Sequence, residues 1–122
     1  MKMTNIHSRT NCPVMGTDRC LLEETGECPV EETAKLLGKK WVILILRELL
    51  AGKRRFNELL RSLDGISPGV LSGRLNEMEK MEIINRAAYA EVPLRVEYSL
   101  TEKGGDLKDA VVSMAQWWMR WK

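Results

Sequence analysis

The chain has 122 residues, of which 44% are hydrophobic and 30% charged, with a formal net charge of +2; this is ordinary composition for one globular domain with one core. So small a net charge excludes a molecule that is polycationic throughout, and any nucleic-acid surface must come from local segregation of charge. The longest purely apolar run, Trp41 to Leu46, is six residues, against the roughly 20 that a membrane-spanning helix needs.

Residues 1–27 show no sustained helical or strand period and contain Pro13, Gly16, Gly26, Cys12 and Cys20, so they read as an irregular arm in front of a domain spanning 28–122. The polar stretch Met1 to Asn11 lacks the apolar core of a signal peptide, which predicts a cytoplasmic, reducing location. Three cysteines then leave at least one thiol free in each chain. A domain of this size buries roughly two thirds of the surface of its unfolded chain, so it gains from an oligomeric partner.

From Pro29, a favoured first helical residue, Val30, Ala34 and Leu37 recur at helical spacing, with Glu31 and Glu32 complementing the dipole of the first turn and Gly38 ending the helix. Trp41 to Leu50 is apolar on nearly every side except at Arg47 and Glu48, which predicts a central buried helix. Ala51-Gly52 breaks it and Lys53-Arg54-Arg55 reads as a basic connector. Phe56, Leu59, Leu60 and Leu63 form the stripe of a third helix, and Asp64-Gly65 signals a turn.

Ser67 then suits an N-cap and Pro68 the first position of a helix running to about Met81, with Val70, Leu71, Leu75 and Met78 on one face. Gly69, Ser72, Gly73, Asn76 and Lys80 fall on the opposite, small and polar face. Ile83 to Tyr89 and Val96 to Leu100 read as two strands of a hairpin with a longish tip. A last helix opens at Thr101 and carries Leu107, Val111, Met114, Trp118 and Trp121 at alternating steps of four and three, widened by Trp117.

This order of elements predicts a mainly α fold with a small β-hairpin: a winged helix-turn-helix, whose recognition helix starts at Ser67 and whose wing is the hairpin. Cys28-Pro29-Val30-Glu31, Gly38-Lys39-Lys40-Trp41, Arg55-Phe56-Asn57-Glu58-Leu59, Gly65-Ile66-Ser67, Val70-Leu71, Glu91-Val92-Pro93 and Arg95-Val96-Glu97-Tyr98-Ser99-Leu100-Thr101 together resemble the HxlR family of transcriptional regulators, over about residues 28–118. The resemblance implies a MarR-like winged-helix homodimer that binds double-stranded DNA as repressor or activator. Two features depart from the family pattern. The arm with Cys12 and Cys20 is longer, and Gly69 and Gly73 stand where family members often carry longer polar residues.

On this reading Ser67, Pro68, Gly69, Ser72, Gly73 and Asn76 face the bases or phosphates, Lys53, Arg54 and Arg55 hold a phosphate strand, and Arg95 reaches DNA from the wing. The plainer alternative is a helix cap, solvated polar residues and exposed cations. Trp117, Trp118 and Trp121 cannot all hide inside one small domain, so with Leu107, Val111 and Met114 they predict a dimer seam.

Cys28 precedes Pro29 at an N-cap position, where the helix dipole favours thiolate, although Glu31 and Glu32 oppose it. Several HxlR-type regulators sense electrophiles or oxidants through a cysteine in this region, so the resemblance implies a switch at Cys28, with Cys12 and Cys20 able to resolve it; a buried, inert thiol is the alternative. Two other classes stay open. One is a metal or iron-sulfur sensor using Cys12, Cys20 and Cys28, which lie eight residues apart each time, unlike the short steps of zinc ribbons. The other is a winged-helix module for protein-protein contact. The single histidine, His7, lies in the arm, and no nucleophile, base and orienting group recur at a recognisable spacing, so neither an enzyme nor a cofactor is expected.

Overall fold

The computed structural model describes residues 28–122, and the arm 1–27, with Cys12 and Cys20, lies outside them. The described residues fall into two units, divided between Lys39 and Lys40. In the first, α1 spans Pro29–Leu37 and ends at Gly38, whose N–H donates to the Ala34 carbonyl at 2.8 Å.

The second unit begins with α2, Lys40–Leu50, which buries Val42, Ile45, Leu46 and Leu49. It packs on the sheet and on the two helices that follow, and each such buried aliphatic side chain contributes about 1.5–3 kcal/mol relative to an exposed one. Gly52, at φ 142°, turns the chain into β1, Arg54–Arg55, and then α3, Phe56–Ser62. Gly65, at φ 90°, makes the turn into α4, Pro68–Lys80; only glycine adopts that backbone without a steric cost. The pair α3 and α4 is the helix-turn-helix.

Strands β2, Ile84–Tyr89, and β3, Arg95–Leu100, pair antiparallel from Ile84 opposite Leu100 to Tyr89 opposite Arg95. β1 adds to the other edge of β3, Arg54 opposite Tyr98 and Arg55 opposite Glu97, so the sheet order is β1-β3-β2. The sequence shows only a connector at Lys53-Arg54-Arg55, because two residues are too short to display a period of two. Of the strand residues, only Ile84 and Tyr98 are buried.

The last predicted helix is divided in two: α5, Glu102–Gly105, and α6, Lys108–Trp121. Thr101 caps α5, accepting from the Gly104 N–H at 3.0 Å and donating to the Glu82 carbonyl at 2.6 Å. Glu82 ends the turn after α4 at φ 62°, a left-handed backbone that is uncommon outside glycine. Lys103 closes the same junction by donating to the Met81 carbonyl at 2.8 Å. No residue of α6 is buried. Among the described residues no helix is long and apolar enough to cross a membrane.

Candidate nucleic-acid interface

Ser67 has the extended backbone of an N-cap, and its Oγ accepts from the Val70 N–H at 3.2 Å, satisfying one of the donors a helix start leaves open. Leu71, Leu75 and Met78 are buried and hold α4 against α2 and β2. Ser67, Pro68, Gly69, Ser72, Gly73, Asn76 and Lys80 are all exposed, as their place on the helix predicts. Val70 departs from the expected core stripe and is 38% exposed; at 3.6 residues per turn it sits about a quarter turn from the centre of the Leu71, Leu75 and Met78 stripe. A Cβ added at Gly69 or Gly73 would meet nothing within 4 Å. Packing therefore demands glycine at neither position.

The three consecutive cations do not form a single patch. Because Arg54 and Arg55 are strand residues, their side chains leave opposite faces of the sheet. Arg54 lies opposite Tyr98, beyond which β2 places the exposed Arg86, while Arg55 lies opposite Glu97. Arg55 also caps α3, its N–H donating to Glu58 Oε1 at 2.7 Å. Lys53 is exposed, with its Nζ 4.0 Å from Glu97 Oε1.

The wing tip is 90–94, where Val92 and Leu94 are exposed. Arg95 is the first residue of β3 and not a free cation at that tip. Its two terminal nitrogens donate to Glu91 Oε2 at 2.9 Å and Glu97 Oε2 at 3.0 Å, and its guanidinium stacks 4.0 Å from the Tyr89 ring. Partial burial works to lower the Arg95 pKa, but the hydrogen bond and charge of Glu91, together with the charge of Glu97, outweigh it and the pKa is raised. Between the start of α3 and the wing is a cleft of about 400 Å³, lined by Arg55, Phe56, Asn57, Pro93, Leu94, Arg95 and Val96. Arg86 and Glu97 were not singled out in the sequence. The signal for Glu97 was present, since it sits two residues from Arg95 on one face of a strand.

Cys28 is 6% exposed and free, with the extended backbone of an N-cap, and its side chain makes no cap hydrogen bond. In α6, Met114, Trp117, Trp118 and Trp121 are exposed, as are Val112 and Met119, whereas Leu107, just before the helix, and Val111 are half-buried. The Trp117 and Trp118 rings lie 6.4 Å apart, tilted by 45°. Among the described residues no three of His, Cys, Asp or Glu converge as metal ligands.

Known proteins share this arrangement. Residues 36–122 match the model of the HxlR-like helix-turn-helix family. The HTH-type transcriptional regulator sll1512 of Synechocystis is 42% identical over 113 residues, 92% of this chain and 82% of that protein. The HTH-type transcriptional regulator YodB of Bacillus subtilis is 42% identical over 91 residues, 74% of this chain and 81% of that protein. The redox regulator HypR in its oxidized form superposes with a TM-score of 0.72 at 39% identity, over 78% of this chain and 98% of that one. With a helix-turn-helix built from α3 and α4, a sheet that joins it to a wing, and a family match across most of its length, the chain belongs to the HxlR-like helix-turn-helix family of transcriptional regulators.

Proposed function

We propose that the chain is a cytoplasmic, homodimeric regulator that sets the N-terminal end of α4 in the major groove of an operator, with no catalytic step of its own. The observation that carries this reading is the exposed polar face of α4, capped at Ser67 and smooth at Gly69 and Gly73, which allows the backbone a close approach to base edges. Ser67, Ser72 and Asn76 supply the polar contacts there, Pro68 sets the angle of entry, and phosphates are met by Lys53 and Arg55 from one face of β1 or by Arg54 from the other. Arg95 shapes the wing before it meets DNA, because two carboxylates already hold its guanidinium. The exposed stripe of α6 joins two protomers so that their recognition helices address major-groove faces about 34 Å apart on an inverted repeat.

In gel shifts across a salt series, replacing Lys53, Arg54 and Arg55 together by alanine is expected to weaken binding to every duplex. It should also flatten the plot of log affinity against log salt by roughly one to two, since each lost phosphate contact removes about 0.9 from the slope. Asn76→Ala should cost about 1–3 kcal/mol on the cognate site only. An unchanged slope in the triple variant would remove β1 from the interface. A wild-type protein without salt-dependent DNA binding would favour the protein-protein module, and bound metal after anaerobic purification would favour the cysteine-ligated sensor.

A redox response through Cys28 is the second part of the proposal. It is favoured by the likeness to HypR, described as a redox regulator in oxidized and reduced forms, and to YodB, which has a diamide-treated form. In this chain two thiols, Cys28 and either Cys12 or Cys20, would give two protons and two electrons to the N=N bond of diamide, leaving a disulfide and a hydrazine. Burial of Cys28 makes local opening the first step. Diamide is expected to lower operator affinity at least about tenfold in the wild type, a shift of 1.4 kcal/mol, and to leave Cys28→Ser unaffected. Equal loss in both proteins, or none in either, would falsify the switch.

A further inference from the structure

One carboxylate in the wing stands among three cations. Glu97 is central in β3, and its side chain is only 15% exposed. Arg95, two residues earlier on the same face, donates to it at 3.0 Å, Lys53 lies 4.0 Å away, and Arg55 is its direct partner across β1 and β3. Glu91 takes the other terminal nitrogen of Arg95, and the Tyr89 ring lies against its guanidinium. Three positive charges thus stand beside two negative ones.

A cation already paired to a carboxylate adds little net charge toward a phosphate, and it must give up that pair to contact one. Affinity for duplex DNA irrespective of sequence depends on how many phosphates the protein neutralises. Carboxylates placed among cations therefore hold down the indiscriminate part of binding, and discrimination comes from elements that oppose the wrong partner as well as from those that favour the right one. We propose that Glu97, assisted by Glu91, is a specificity-determining residue: it keeps Arg95 engaged within the protein, so that the wing contributes little to binding of unrelated duplex. This rests on the DNA-binding reading above.

The test is fluorescence anisotropy of the full chain with a 20-base-pair duplex of unrelated sequence over a range of monovalent salt. Glu97→Gln is expected to raise affinity roughly three- to tenfold at 0.1 M salt and to steepen the salt slope by about one, the effect of one freed cation. Glu91→Gln, in an exposed loop and tolerant of substitution, should act in the same direction and carries the test if Glu97→Gln fails to fold. The gain from Glu91→Gln should vanish in an Arg95→Met background, because it acts through that guanidinium. Slopes and affinities equal to wild type in both variants overturn the proposal, as does a Glu91→Gln gain that persists without Arg95. A wild-type protein that binds no duplex at any salt fails the DNA-binding reading itself, a result seen before any variant is compared.

Discussion

Replacing Trp117, Trp118 and Trp121 together by alanine is expected to leave the fold intact, convert the protein to a monomer and lower operator affinity at least about a hundredfold. The three indoles are 55%, 60% and 71% exposed, and no residue of α6 is buried, so the domain core does not depend on them. Exposed indole surface of this extent amounts to on the order of 400 Å² per protomer, about 10 kcal/mol at 25 cal/mol per Å² before the costs of association. A monomer engages one half-site at a time and forfeits the high effective concentration that a tethered second half-site provides, worth about 10²- to 10⁴-fold. Sedimentation at micromolar concentration reads the first effect and gel shifts the second. A triple variant that still dimerises assigns the seam to another surface.

Gly104→Ala is expected to be the most damaging single methyl group in the described chain. The new Cβ would overlap the Ile83 carbonyl oxygen and come within 3.1 Å of both the Ile83 carbonyl carbon and Leu100 Cδ2. The first two are backbone atoms at the point where Thr101 N–H bonds the same carbonyl at 3.0 Å, so they cannot swing aside as a long side chain would. The loss should exceed about 3 kcal/mol, a large share of the 5–15 kcal/mol that holds a typical domain together, and lower the melting temperature by roughly 10–20 °C. Gly105→Ala is the control, since nothing lies within 4 Å of its added Cβ. If the two variants melt together, the close approach of α5 to Ile83 is not a structural constraint.

The elements legible in the sequence were those whose cause is local. Ser67-Pro68 announced α4 because a side-chain cap and a fixed φ act within one turn, and the Ser67 to Val70 hydrogen bond is the one that pattern implies. The Trp41 to Leu50 run announced α2 because its apolar residues exceed what one face can hold. What escaped was set by partners distant in sequence. β1 exists because β3 offers an edge to Arg54 and Arg55, and the break between α5 and α6 follows from the junction of Thr101, Gly104 and Lys103 with the turn after α4. Arg95 read as a free wing cation because Glu91 and Glu97 reach it only once the hairpin register is fixed. The face of α4 is visible in outline, but Val70, about a quarter turn from the buried stripe, is exposed, because apolar character alone does not fix an angle on the helix.

The open space around Gly69 and Gly73 has a bearing on how such a protein diverges. Side chains can be added at either position without displacing a neighbour, and at a mid-helix site the change from glycine to alanine brings roughly 0.5–1 kcal/mol in helix propensity. A duplicated gene could therefore acquire a new operator through one or two codons on this helix while its core, wing and α6 stay as they are. With α4 as the proposed recognition helix, a change of target at these two positions carries no packing cost to the fold.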